Sequence, residues 1–106
     1  MDRADLFGAL RETGMPVAYR DWGEAEPPAL PYVVFFSTGS DYFRADDRNY
    51  AEAREWCVEL YSKAKHDAGE AAVEAVLSGM PVPFNKNEIG PTEDGPHMTA
   101  WYFETN

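Results

Sequence analysis

The middle of the chain alternates apolar and polar residues in a way that predicts a long β-hairpin. The segment Tyr32–Phe36 is aromatic and β-branched throughout, a composition typical of strands. A second segment, Trp56–Tyr61, places its Trp, Val and Leu on one face and its Cys, Glu and Tyr on the other, which is the two-residue period of a pleated strand. We therefore predict that these segments pair and that the residues between them form an extended tip.

Two amphipathic helices are predicted, one on each side of the hairpin. The first covers Asp2–Glu12, where apolar residues recur at helical spacing before a Gly and a Pro end the pattern. The second covers Asp67–Leu77, and we expect Asp67 to be its N-cap, because Glu70 follows at the spacing of an acidic capping box.

Three further strands complete the predicted fold. A short strand is expected within Pro16–Trp22, and Pro81–Ile89 is expected to form an irregular edge strand, since prolines are tolerated at sheet edges. The last strand, His97–Glu104, is apolar on both faces and should lie inside the sheet. The order α-β-β-β-α-β-β predicts one α+β domain, residues 1–106, with a mostly antiparallel sheet of about five strands and two helices on one face.

Composition narrows the functional classes. The chain has 106 residues, 44% of them hydrophobic and 14% aromatic, so we expect a single folded domain. Nineteen acidic against nine basic residues give a net charge of −10, which opposes tight binding to a phosphate backbone. No apolar run approaches the ~18 residues of a membrane span, and the start of the chain has no signal-peptide pattern, so a soluble, reduced, cytosolic protein is expected.

No catalytic or metal-binding set emerges from the sequence. His66 and His97 lack the spacing of metal ligands on one helix, and each is interpreted as a surface or strand-end imidazole. Cys57 is expected to be a buried structural thiol, because the neighbouring Glu55 and Glu59 would raise its pKa. Adjacent carboxylates on loops do not make an acid–base pair. We expect a protein that is not an enzyme and has no cofactor and no metal.

The tip of the hairpin is the candidate functional site. It combines aromatic and arginine side chains, which are enriched at protein interfaces, with acidic ones that can set the register between partners. An ordinary solvated hairpin tip is the alternative interpretation. The candidate interface residues are Tyr42, Phe43, Arg44, Asp46, Asp47, Arg48 and Tyr50.

Several short motifs resemble a known family. They are Pro31-Tyr32, Gly39-Ser40-Asp41, Ala45-Asp46-Asp47 with Tyr50, Val58-Glu59-Leu60-Tyr61, His66-Asp67, the Glu-rich segment 70–77 and the closing strand 98–103. Over residues 30–104 the chain is similar to the small tail-completion proteins of long-tailed phages and prophages, which include tail terminators and head–tail joining proteins. It departs from them in the long, proline-rich connector 23–30, so the resemblance gives no expectation for contacts made there.

The resemblance implies an α+β structural subunit that forms a homo-oligomeric ring, often a hexamer. Such a ring caps the tail tube and joins it to the head connector, so the implied partners are the tail-tube protein and the connector proteins. The resemblance also implies that DNA passes through the ring without tight binding, and the implied location is the host cytoplasm during assembly and then the virion tail. The hairpin tip and an exposed strand are candidates for the two patches that meet in a closed ring. The alternative is a small acidic adaptor or regulatory domain that binds a cellular protein.

Overall fold

The computed structural model describes residues 1–41, 44–45, 48–49, 53–91 and 95–105, with the backbone alone for strand residues 40–41, 44–45, 48–49 and 53. The elements in chain order are α1 (Arg3–Leu10), a 3₁₀ turn (Arg11–Thr13), β1 (Val17–Tyr19), β2 (Tyr32–Asp41), β3 (Arg44–Ala45), β4 (Arg48–Asn49), β5 (Ala53–Ser62), α2 (Asp67–Gly79), β6 (Phe84–Ile89) and β7 (His97–Thr105). None of the helices in these ranges is long and apolar enough to cross a membrane.

Five strands form one sheet in the order β1-β2-β5-β7-β6. Three neighbouring pairs are antiparallel, whereas β1 runs parallel to β2. The predicted α+β class is confirmed, with the qualification that the sheet is mixed. As predicted, β6 lies at an edge and β7 lies inside the sheet. The short strands β3 and β4 pair with each other in a separate two-stranded ribbon.

The pairing of β2 with β5 decides which side chains enter the core. Val33 is opposite Leu60 and Phe35 is opposite Val58, and all four side chains are almost completely buried. Because side chains alternate between the faces of a strand, this register also directs Trp56 toward the core. The face of the long strand that carries Trp56, Val58 and Leu60 is therefore its inner face.

Both helices pack on this inner face. Leu6 and Leu10 of α1, together with Val73 and Leu77 of α2, belong to the same buried cluster as the inward side chains of β2, β5 and β7. Val76 packs against that cluster while remaining partly exposed. Apolar stripes of two helices thus cover one face of the sheet, as the helical periodicity predicted.

The start of α2 differs from the prediction by one residue. The N-cap is His66, whose Nδ1 accepts a hydrogen bond of 2.7 Å from the backbone N–H of Gly69, and Asp67 is the first helical residue. A side chain at Gly69 would collide with this cap, since its Cβ would lie 2.6 Å from Nδ1. The acidic capping box occurs instead in α1. There the carboxylates of Asp2 and Asp5 each accept a hydrogen bond from the backbone N–H of the other residue.

Leu60→Ala tests the packing of β5 against the helices. The side chain is 1% exposed, so its truncation should lower the free energy of unfolding by about 2–5 kcal/mol, measured by chemical denaturation. Ile89→Ala is the matched control, because that aliphatic side chain is 36% exposed and its loss should cost less. A change below about 1 kcal/mol for Leu60→Ala would contradict its burial in the core.

Candidate interaction site

The hairpin tip is reached through the longest strands of the protein. The β2–β5 pairing continues to Asp41 and Ala53, and the ribbon that follows pairs Arg44 with Asn49 and Ala45 with Arg48. Of the candidate interface residues, the backbones of Arg44 and Arg48 therefore lie in a short antiparallel ribbon within the hairpin. The others lie outside the described residues; they are Tyr42, Phe43, Asp46, Asp47 and Tyr50.

A second candidate surface is the sheet face that points away from the helices. We call it the outer face. It consists of the even-numbered residues of 32–36 in β2 and of 98–104 in β7, and the odd-numbered residues of 55–61 in β5 and of 85–89 in β6. None of these residues belongs to the buried cluster that joins the sheet to the helices. The outer face is thus the side of the sheet opposite the core.

The outer face is unusually aromatic for a surface. The exposed face of an antiparallel sheet normally carries polar side chains, yet here the rings of Tyr32 and Tyr61 stack with centroids 5.3 Å apart. Tyr102 is 40% exposed and Ile89 is 36% exposed. Contiguous apolar surface of this kind marks sites of association.

The charged residues of the outer face are all acidic. Glu55, Glu59 and Glu104 are its carboxylates, and the alternation places no Lys or Arg on the face. Glu59 accepts a hydrogen bond of 2.9 Å from the hydroxyl of Tyr61, and burial, followed by this hydrogen bond, raises the pKa of Tyr61. The face therefore combines aromatic surface with negative charge.

Cys57 lies at the centre of the outer face and is completely buried. Burial, with a smaller contribution from the charge of Glu59, raises the pKa of its thiol to about 12. The prediction of a buried structural thiol is therefore confirmed. Because the thiolate is the nucleophile, this cysteine is poorly suited to covalent catalysis.

An open cleft adjoins the outer face near the end of β7. It has a volume of about 920 Å³ and is lined by the 80–85 segment and by strand residues that include Glu55, Tyr102 and Glu104. Those three side chains also belong to the outer face. The surface at this end of the sheet is therefore concave as well as acidic and aromatic.

The helix side of the sheet carries a network of charges centred on Glu70. This residue is 4% exposed, and its carboxylate lies 2.7 Å from Lys86 Nζ and 3.1 Å from Lys65 Nζ. Burial would raise the pKa of Glu70, but the hydrogen bonds from the two lysines outweigh it and hold the pKa below its usual value. The network ties α2 to β6 and to the segment before α2.

His97 completes this network, and of its interpretation as a surface or strand-end imidazole only the surface part is wrong. It does begin β7, but it is only 6% exposed. Its Nε2 lies 3.1 Å from Glu88 Oε1 without a hydrogen bond of good geometry. Glu70, Glu88 and His97 bring potential metal-ligand atoms within 4.8 Å of one another. The ammonium of Lys65 lies 3.1 Å from both carboxylates and that of Lys86 lies 2.7 Å from Glu70, so the geometry is explained by ion pairing.

Two features of the structure do not follow from the sequence patterns: the charge network around Glu70 and the outer face of the sheet. The sequence indicates only a capping role for Glu70, and nothing local in it places Lys86, sixteen positions later, beside that residue. The outer face had a visible signal, since Cys57 and Tyr61 alternate with the inward residues of β5. Recognising that neither helix covers it required knowing that both helices pack on the other side.

No protein-family model and no curated protein sequence matches this chain.

The thiol of Cys57 should react slowly in the folded protein. The thiol is completely buried and its pKa is raised to about 12. Its labelling by a disulfide reagent at pH 8 should therefore be at least about a hundredfold slower than in denaturant, because unfolding returns the thiol to its ordinary pKa. The release of the chromophore measures both rates. Native labelling within tenfold of the unfolded rate would contradict the burial of Cys57.

Glu70→Gln tests the charge network through the pH dependence of stability. The pKa of Glu70 is lowered in the folded state, so its contribution is fully present above the unfolded value of about 4.3 and is lost as the pH falls through the folded pKa. We expect the variant to have a lower thermal midpoint at pH 7 and the difference from wild type to shrink below about pH 4. Glu12→Gln, at an exposed site, is the control and should change little. A constant difference across the pH range would contradict the assignment.

Proposed function

We propose that this protein is a non-enzymatic structural subunit of a phage or prophage tail. In this proposal, copies of the chain form a ring that caps the tail tube and joins it to the head connector. The observation that carries the proposal is the long β2–β5 hairpin: two of the motifs that resemble tail-completion proteins, Pro31-Tyr32 and Val58-Glu59-Leu60-Tyr61, lie at its base, and its ribbon contains Arg44 and Arg48. The motif residues 58–61 lie in the second half of β5.

The geometry of the described residues favours association over catalysis. Cys57 is buried with a raised pKa, and the buried carboxylate of Glu70 is paired with two lysines. Groups engaged in this way stabilise the fold and are poorly placed to act on a substrate. By contrast, the aromatic outer face and the arginine-containing ribbon are the kinds of surface that bind proteins.

The net charge of −10 fits a ring around a DNA path. An acidic bore would repel the phosphate backbone, so DNA would pass without adhering to the wall. The acidic outer face also favours a second candidate, an adaptor that binds one cationic cellular protein. The two candidates differ in their partner: the tail subunit binds its own copies and a tube protein, whereas the adaptor binds neither.

Reversing the charge of the tip tests the proposal. Arg44→Glu combined with Arg48→Glu should abolish ring formation and capping of tail tubes, because both arginines are assigned to the interface. The thermal midpoint should stay within a few degrees of wild type, since charged tip residues contribute little to a core. Solution mass, alone and with a tube protein, measures assembly. Arg11→Glu, on the 3₁₀ turn, is the matched control, and unchanged assembly of the double variant would remove the tip from the interface.

A further inference from the structure

We propose that Glu70, Glu88 and His97 form a binding site for one divalent metal ion of the zinc class, and that this ion binds by displacing the ammonium of Lys65. The three ligands come from α2, β6 and β7, so a bound ion links these elements. The site lies on the helix side of the sheet, and the inference does not depend on the proposed function.

The lysines that pair with the two carboxylates leave His97 without a partner. His97 is 6% exposed, and its Nε2 makes no hydrogen bond with the residues that the structure describes, although it lies 3.1 Å from Glu88 Oε1. A buried polar atom without a partner is uncommon in folded proteins, and an ion or a water molecule is one explanation. The imidazole therefore points into the acidic cluster with a nitrogen that can bind a metal.

The spacing of the ligand atoms suits one ion. Glu70, Glu88 and His97 each offer a ligand atom, and these atoms all lie within 4.8 Å of one another. Zn²⁺ binds imidazole nitrogen and carboxylate oxygen at about 2.0–2.2 Å, which places two ligand atoms of a tetrahedral ion about 3.3 Å apart. The 3.1 Å between His97 Nε2 and Glu88 Oε1 is close to this separation. The side chain of Glu88 is 43% exposed, so it has the freedom to approach Glu70.

Lys65 shows where a cation is favoured and how a metal ion can enter. Its Nζ lies 3.1 Å from Glu70 Oε2 and 3.1 Å from Glu88 Oε2, which is the position between the two carboxylates that the ion requires. The side chain of Lys65 is 44% exposed, so its ammonium can withdraw into solvent. Asp67, 4.0 Å away and itself exposed, remains as a partner outside the site.

The charge of the cluster matches a divalent ion once Lys65 has withdrawn. Lys86 stays in place, 2.7 Å from Glu70 and 2.8 Å from Glu74. Together with Glu88, the cluster then has three carboxylates and one ammonium, a charge of −2. Lys65 supplies a single positive charge, whereas a divalent cation supplies two and neutralises the cluster.

The ligand types determine which metal the site prefers. One imidazole nitrogen with carboxylate oxygens suits Zn²⁺ and similar transition metals, whereas Mg²⁺ and Ca²⁺ favour sites made of oxygen alone. Three protein ligands also leave a fourth position of a tetrahedral ion to water. The three residues are distant in the sequence, so no local spacing of the kind found on one helix predicts this set.

The first test compares the two histidines of the chain. Isothermal titration of the untagged protein with ZnCl2 should show one site, and MgCl2 should bind at least about tenfold more weakly. His97→Asn removes the nitrogen ligand and should weaken Zn²⁺ binding at least about tenfold. His66→Asn is the matched control and should bind like wild type, because Asn is a good N-cap and α2 keeps its start.

The second test uses the competition with Lys65. Lys65→Met removes the competing ammonium and should tighten Zn²⁺ binding at least about tenfold, because a nearby positive charge opposes the ion. Lys63→Met makes the same change at an exposed lysine two positions earlier and should leave the affinity unchanged. Zn²⁺ bound at an unrelated acidic surface would not distinguish these two variants.

Thermal midpoints separate binding from folding. Zn²⁺ should raise the midpoint of the wild type and of Lys65→Met but not that of His97→Asn, because a ligand stabilises only the state that binds it. If His97→Asn does not fold, Glu88→Gln removes another ligand at an exposed position and should weaken binding in the same way.

The proposal fails if neither the wild type nor Lys65→Met binds Zn²⁺. It also fails if folded His97→Asn, or Glu88→Gln in its place, keeps the wild-type affinity. Loss of binding in His66→Asn would assign the ion to the other histidine. An affinity of Lys65→Met that does not exceed that of Lys63→Met would show that the ion binds away from Lys65.

Discussion

The antiparallel register of β2 and β5 is the constraint on which the rest of the structure depends. It places Val33 opposite Leu60 and Phe35 opposite Val58, which gives the two helices an apolar surface to cover. The same register places Cys57, Glu59 and Tyr61 on the opposite side of the sheet. A slip of one residue would exchange the two faces, so the core and the outer face are specified by a single pairing.

The Glu70 network complements this register by fixing where α2 lies. Apolar packing of Val73 and Leu77 is tolerant of small shifts along a sheet, whereas a buried carboxylate must remain close to its cations. The contacts of Glu70 with Lys65 and Lys86 therefore set the position of the helix more narrowly than the core alone. The hydroxyl of Thr99, 3.5 Å from Glu70, brings β7 into the same arrangement.

Local patterns were sufficient to predict most elements and the pairing of β2 with β5, but not the other strand pairs. Alternation located β5, and helical spacing located α2, because both signals are contained in a few neighbouring residues. The parallel pairing of β1 with β2 depends on the path of the connector formed by residues 20–31. The burial of His97 depends on neighbouring strands that are distant from it in the sequence. The candidate tip was identified from composition, while the outer face became visible only once the helices were placed.

The two edges of the sheet have a consequence for how this protein can associate. At one edge β1 has only three residues, and at the other β6 carries Lys86 and Glu88 within six residues and follows two prolines. Short or charged edge strands are poor templates for pairing with a further strand. Extension of the sheet from copy to copy is thus disfavoured in both directions, and the protein is protected from fibrous growth even though one broad face is aromatic.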